Sequence, residues 1–235
     1  DMTLKMMEFF GIEYQKQDNT IKIPKQQYLA KDYPVEPDWS SASFWYEIAA
    51  LSANAEINFP GLNLNNSLQG DKKASEIFDK LGVKTIDHTQ GIKIFSKKPA
   101  VKFFKMNLND FPDLVLPVIL TCCAKKIPFE ITGISHLRYK ETNRIQALIS
   151  ETAKLGCKLE NKPAESLCCH DFPKAFPAHL SVKTYKDHRM AMAFAPLVLK
   201  GITVKIDEPE VVNKSYPGFW DDFQHAGFIV NNTKV

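Results

Sequence analysis

The sequence predicts an α/β protein built from repeated helix–strand modules, and three observations carry that prediction. An amphipathic helical segment ending in an apolar residue and a glycine occurs four times, with Gly11, Gly82, Gly156 and Gly227 at intervals of 71, 74 and 71 residues. Strand-like runs rich in β-branched and aromatic residues follow these segments. Three of the four amphipathic segments are also preceded by a second, more uniformly apolar helix. A helix apolar on most faces must be buried, so each full module places one inner and one outer helix against a sheet.

In chain order, residues 3–10 have apolar positions near helical period and form the first outer helix, with strand-like runs at 12–14 and 20–23. The first inner helix covers 40–53 and is opened by the capping-type residues of Glu36-Pro37-Asp38-Trp39-Ser40-Ser41-Ala42-Ser43. The second outer helix is 72–81, followed by strands at 83–86 and 91–95. The next inner helix, 113–125, starts at Pro112-Asp113, where the plainest role for Asp113 is an N-cap. A strand-like run at 129–133 leads to the third outer helix, 140–155. The last inner helix, 187–200, is capped by Asp187, and the last outer helix, 216–226, precedes a strand at 228–230. A glycine after each outer helix supplies a left-handed cap. The first module has no inner helix. The expectation is therefore a piece of a longer protein, with residues 1–35 as the tail end of another domain and 36–235 as a nearly complete second domain.

Composition narrows the function classes. The chain has 235 residues, 44% of them hydrophobic, which suits a globular core. Its 30 basic and 27 acidic residues leave a net charge of +3, and the basic residues are not gathered in one stripe with aromatics between them, so no nucleic-acid partner is expected. The apolar runs 114–124 and 190–199 fall short of the roughly 20 residues needed to cross a bilayer. No secretory leader pattern is present, which gives a cytoplasmic expectation. The five cysteines show no C-x-x-C spacing, so no metal site is expected, and Cys122 and Cys123 read as core residues.

Charged residues concentrate where helices begin, the place where unpaired backbone N–H groups and the helix dipole favour an anion. In His136-Leu137-Arg138-Tyr139-Lys140-Glu141-Thr142-Asn143-Arg144, two cations and a carboxylate fall within about one turn, with Lys140 and Arg144 four apart on one helical face. Ordinary ion pairs at a solvated helix start are the plain alternative. Tyr185-Lys186-Asp187-His188-Arg189-Met190-Ala191-Met192 tips the balance, because charges entering so apolar a helix need partners or a ligand. Lys214, in Asn213-Lys214-Ser215-Tyr216-Pro217, stands before the last helix.

These residues carry a family resemblance. Leu137-Arg138-Tyr139-Lys140-Glu141-Thr142-Asn143-Arg144 is similar to the L-R-x-K-E-T-D-R motif of the 3-phosphoshikimate 1-carboxyvinyltransferases, and Asp187-His188-Arg189-Met190-Ala191-Met192 resembles their D-H-R-M-A-M motif. Asp38-Trp39-Ser40-Ser41-Ala42-Ser43, Phe111-Pro112-Asp113 and Lys214-Ser215-Tyr216-Pro217 match in the same order. The resemblance implies an inside-out α/β barrel domain of βαβαββ units, one of two such domains, with further substrate-binding lysine and arginine residues on the other domain. It implies phosphoenolpyruvate and shikimate 3-phosphate as substrates, no metal or cofactor, and a monomer.

The same resemblance implies Asp113 as the base near the 5-hydroxyl and Glu141 in proton transfer at the methylene carbon. Arg144, Arg189 and Lys214 would hold phosphoenolpyruvate. Asp113, His136 and Lys140 would face shikimate 3-phosphate, with His188 supporting Arg189. Two positions depart from the family pattern: His136 stands where many members have Asn, and Asn143 replaces an Asp, losing a carboxylate that could orient an arginine. The rivals are a UDP-N-acetylglucosamine enolpyruvyl transferase-like enzyme, whose sequences lack this pair of motifs, and a non-catalytic anion-binding domain of the same fold. Retention of Asp113, Glu141, Arg144, Arg189 and Lys214 together argues against the latter.

Overall fold

The computed structural model describes residues 2–162 and 166–231. In chain order the elements are α1 (Met2–Phe9), β1 (Gln15–Gln17), β2 (Thr20–Lys22), α2 (Trp39–Leu51), β3 (Glu56–Pro60), α3 (Ala74–Leu81), β4 (Val83–His88), β5 (Gly91–Ser96) and β6 (Phe104–Asn107). They continue with α4 (Val115–Lys125), β7 (Phe129–Thr132), α5 (Arg144–Lys154), β8 (Glu160–Lys162), β9 (Ser166–Cys169), β10 (His179–Val182), α6 (His188–Phe194), β11 (Thr203–Ile206) and α7 (Phe219–His225). Short 3-10 turns adjoin several helices, at Gly70–Lys73, Pro112–Leu114 and Ala195–Lys200.

The modules are visible in the sheets. The middle module is complete, β6-α4-β7-α5-β8-β9, with sheet order β6-β7-β9-β8. Its β6 and β7 are parallel, as a crossover through α4 requires, and the other pairs are antiparallel. The module before it, the first with an inner helix, gives β3-β5-β4, all antiparallel. In the third, β10 and β11 are parallel around α6. The inner helices α2, α4 and α6 touch one another, and nearly every residue of α2 and α4 is buried, including Trp39, Phe44 and Tyr46. Tyr46 lies against Trp39, Phe59 and Phe78, tying α2 to its sheet and to α3. Full burial of such side chains contributes about 1.5–3 kcal/mol each. Sheets outside and helices inside is the inside-out arrangement.

The inner helices run in one direction. Lys125 Nζ, at the end of α4, donates to Ala50 O at the end of α2 (2.5 Å), so their carbonyl ends share one pole and their N-termini the other. All four marker glycines have positive φ, and Gly82 caps α3 with φ 110°, its N–H reaching Phe78 O. A Cβ there would stand 2.8 Å from Lys97 O, so the position needs glycine for space as well as conformation.

Several boundaries differ from the sequence reading. Runs 12–14 and 228–230 are not strands. The helix expected at 140–155 begins only at Arg144, because Asn143 caps it by accepting from Gln146 N (3.2 Å). The last inner helix changes to 3-10 geometry at Ala195, where Pro196 removes a backbone donor. Pro217 and Gly218 delay α7 to Phe219. Residues 2–35 are joined mainly to one another, by Leu29 N–H to Phe10 O (2.8 Å), Lys31 Nζ to Phe9 O (2.8 Å) and the Phe9–Tyr33 ring contact. The contiguous core runs from Trp39 to Phe223, and all five cysteines are buried and free. Among the described residues, no helix is long and apolar enough to cross a membrane.

Candidate functional site

The shared N-terminal pole of α2, α4 and α6 carries the charged residues that the sequence singled out. Arg144, the first residue of α5, is 1% exposed and lies at their centre. Its Nε donates to Asp187 Oδ2 (2.7 Å), and its Nη2 donates to Asp187 Oδ1 (3.2 Å) and Glu141 Oε2 (2.8 Å). Its Nη1 reaches Asp113 Oδ1 at 3.5 Å. Asp187 is fully buried and has a second task, capping α6 through Arg189 N–H (2.9 Å). The carboxylate thus fixes the guanidinium and the helix start together, and its charge is balanced by paired hydrogen bonds.

The remaining cations stand around this centre. Arg189 Nη2 is 3.0 Å from Asp113 Oδ2, Lys214 Nζ is 2.5 Å from Glu141 Oε1, and Lys140 Nζ is 4.0 Å from Asp113 Oδ1. Lys214 is about half exposed and Lys140 about a third, so both can exchange a carboxylate partner for an incoming anion. Burial alone pushes the Glu141 carboxyl up, but the Lys214 hydrogen bond, a backbone N–H and the Arg144 charge outweigh it and bring the group down to about 2. Burial and the Lys140 charge hold the His136 imidazole below its usual range, with Asp113 opposing and Arg144 reinforcing. Burial and Arg189 do the same for His188. Among the described residues, His136 Nε2 and His188 Nδ1 are buried without a hydrogen-bond partner, and His188 Nδ1 is 3.9 Å from Asp187 Oδ1.

The structure therefore brings Asp113, His136, Lys140, Glu141, Arg144, His188, Arg189 and Lys214 to one pole. It corrects the route by which they arrive. Lys140 and Glu141 precede α5 in extended or irregular backbone and share no helical face with Arg144. Asp113 lies within the 3-10 turn Pro112–Leu114 and caps nothing, leaving its carboxylate for the guanidinium groups. Lys214 stands before the last helix as expected, at the end of a 3-10 turn (Pro209–Lys214). The carboxylate that orients Arg144 is Asp187, while Asn143 is used as a cap, so Asn143 takes no orienting partner from the arginine.

Sequence reasoning missed Asp71. Its Oδ2 accepts from Ser40 Oγ at 2.5 Å. Burial raises its carboxyl; the Ser40 bond and the Arg189 charge oppose that, and Asp113 adds to it, which places Asp71 beside the Asp113–Arg189 pair. The preceding Gln69 clamps the start of α2, accepting from Trp39 N (2.8 Å) and donating to Pro37 O (2.8 Å). The available signal was the same as elsewhere, an acidic residue just before a helix. The serines of 40–43 are used inside the fold: Ser41 Oγ donates to Asp38 Oδ2 (2.6 Å) and Ser43 Oγ to Ser40 O (2.6 Å).

Comparison with known proteins follows the same lines. A family model for EPSP synthase (3-phosphoshikimate 1-carboxyvinyltransferase) matches residues 1–223. The chain is 43% identical over 230 residues to the 3-phosphoshikimate 1-carboxyvinyltransferase of Bacteroides fragilis, covering 97% of this chain and 56% of that protein. It is 35% identical over 239 residues to the Clostridium beijerinckii protein of the same name, covering 100% of this chain and 53% of that one. The chain thus spans about half the length of the curated relatives it matches. Among solved structures, EPSP synthase from Acinetobacter baumannii aligns with TM-score 0.70 at 20% identity, over 97% of this chain and 54% of that one. The enolpyruvyl transferase NikO from Streptomyces tendae aligns with TM-score 0.56 at 15% identity, over 95% and 52%. At these identities the structural likeness speaks to the fold alone.

Proposed function

The chain belongs to the EPSP synthase (3-phosphoshikimate 1-carboxyvinyltransferase) family, and we propose that the whole protein transfers the enolpyruvyl group of phosphoenolpyruvate to the 5-hydroxyl of shikimate 3-phosphate, releasing phosphate. Residues 36–235 supply one wall of the cleft, residues 1–35 end the companion domain, and that domain supplies the other wall. The proposal takes a cytoplasmic monomer as the working form of the whole protein.

The observation that carries this proposal is the Arg144 centre, where Asp113, Glu141 and Asp187 meet one guanidinium within 3.5 Å and Arg189 and Lys214 stand on the same acids. The reaction needs a base at a hydroxyl, an acid at a methylene carbon and cations that hold several negative charges between them. Asp113 takes the 5-hydroxyl proton as that oxygen bonds to C2 of phosphoenolpyruvate, and Glu141 gives a proton to C3. Glu141 then takes a proton from the methyl group so formed as the C–O bond to phosphate breaks and the double bond re-forms, and the proton held by Asp113 passes to the departing phosphate. With its carboxyl near 2, Glu141 is ionised in the free site. Binding of phosphoenolpyruvate draws Lys214 and Arg144 onto its phosphate and carboxylate and adds negative charge, and both changes raise Glu141 toward a proton-donating range. Arg144, Arg189 and Lys214 hold the anion, Lys140 and His136 face shikimate 3-phosphate, and His188 packs beside Arg189.

The test uses the full-length protein. Phosphate release and ether product are measured with both substrates, for the wild type and for Asp113→Asn. The expected result is a loss in kcat of roughly 10²–10⁴-fold with a much smaller change in substrate affinity. If rate and affinity fall together by the same factor, Asp113 is not the base.

A further inference from the structure

The segment that delivers Asp187, His188 and Arg189 leaves β10 through a strained turn. Tyr185 and Lys186 have φ of 55° and 59°, and the turn is closed by Asp187 N–H to Thr184 O (3.0 Å). Two consecutive central residues at positive φ is a pattern ordinarily filled by Gly, Asn or Asp, because a Cβ disfavours it. A tyrosine and a lysine keep it only if the surroundings over-determine it. Tyr185 packs against the core and under the Lys183 ammonium, and one buried side chain bonds both the strand end and the turn. Glu151 of α5, 1% exposed, accepts from Tyr185 Oη through Oε1 (2.8 Å), and through Oε2 from Lys183 N–H (3.1 Å) and Lys154 Nζ (2.6 Å).

Glu151 is seven residues after Arg144, two turns along the same face of α5. That face grips the incoming segment twice, before the turn through Glu151 and after it through the Arg144–Asp187 pair. Arg189 follows within three residues of the strained pair, and its placement on Asp113 depends on where Asp187 starts α6.

We propose that Glu151 is a positioning residue: it locks the left-handed Tyr185–Lys186 turn and thereby sets Asp187 and Arg189 against Arg144 and Asp113. The catalytic consequence rests on the proposed enolpyruvyl transfer; the conformational one does not. Glu151 touches no reacting atom, so its removal acts through the geometry of the anion-binding guanidinium groups.

The experiment is made on the full-length protein with Glu151→Gln, Tyr185→Phe, Lys186→Asn and the double variant Glu151→Gln/Lys186→Asn. Two readouts are taken: kcat and KM for phosphoenolpyruvate, and the rate of tryptic cleavage after Lys183, a site that every variant retains, in the native state. Glu151→Gln is expected to raise KM on the order of tenfold, since a small misplacement of a binding group has effects of that size or larger. It should also speed cleavage at the turn, and Lys186→Asn, which tolerates positive φ, should recover part of both. Tyr185→Phe removes the Tyr185 bond to Glu151 and leaves the Lys183 one, so it should shift both readouts in the same direction by less, which keeps the question answerable if Glu151→Gln does not fold. Unchanged KM and unchanged cleavage in the folded variants, or no recovery from Lys186→Asn, overturns the proposal. A wild type without enolpyruvyl transfer overturns the assigned reaction instead, and cleavage and its rescue still judge the role of Glu151.

Discussion

Arg144 is held by three carboxylates at once while 1% exposed, and Asp187, its closest partner, is fully buried. A buried pair of this kind adds little over an apolar pair, but breaking it leaves a charge with no counterpart. Asp187→Ala should therefore cost about 3–5 kcal/mol in urea unfolding, far above the effect of removing the half-exposed Lys214. Glu141 gives a signature in acid. Its folded carboxyl is near 2 against 4.5 for the free group, so the unfolded state binds the proton first as pH falls. The stabilisation it contributes is complete above the unfolded value and lost as pH drops through the folded one, and Glu141→Gln should flatten that limb of a stability–pH curve. His136 and His188 act in the same direction nearer neutrality. Both are held below 6.5, so protonation favours the unfolded chain and stability declines as pH falls from that value. His136→Asn should remove part of that slope.

The inner helices show what was legible in the sequence. Helices α2 and α4 were readable because their apolar residues cover every face, and the glycine spacing marked the modules. Helix starts were less readable. Helix α5 opens on its Asn143 cap, inside the stretch expected to be helical, and Asp113 sits in a 3-10 turn with its carboxylate turned to Arg144 and Arg189, tertiary contacts that no local pattern contains. The turn before Asp187 was invisible for the same reason, since Tyr185 and Lys186 are not residues that predict positive φ. The two motifs did mark the site itself, because a cation in front of an apolar helix is conspicuous, whereas Asp71 precedes an ordinary amphipathic helix and Glu151 lies inside one. Glu47 is a misfit at this scale: on α2 it is fully buried and neither carboxylate oxygen has a partner among the described residues. Burial raises its carboxyl well above 4.5, so the folded state keeps it protonated and the stability it permits is lost as pH rises. Glu47→Leu should stabilise the protein by about 1–3 kcal/mol at mildly alkaline pH, by removing an unsatisfied buried polar group. Urea melts at a series of pH values above 4.5 would show the wild type losing stability relative to the variant as pH rises.

At the scale of the whole molecule the charges explain why one wall is not enough. Lys214, Arg189, Lys140 and Arg144 each already face Glu141, Asp113 or Asp187, and Asp71 adds a further acid beside Arg189. The pole is close to neutral as it stands. The two phosphorylated, carboxylated substrates of the proposed reaction would bring several more negative charges, and their mutual repulsion at a few ångströms amounts to several kcal/mol at an intermediate dielectric. Additional cations are needed on the facing wall, in agreement with a chain that spans about half the length of its relatives. The 235-residue chain by itself should therefore bind phosphoenolpyruvate weakly, with strong salt dependence, and turn over negligibly, while in the full-length protein shikimate 3-phosphate should tighten phosphoenolpyruvate binding. Calorimetric titration of both proteins with phosphoenolpyruvate, with and without shikimate 3-phosphate, checks this. Coupling of the two substrates in the short chain, or product formed by it at the full-length rate, would show that the pole described here is sufficient and that the opposing wall is not required.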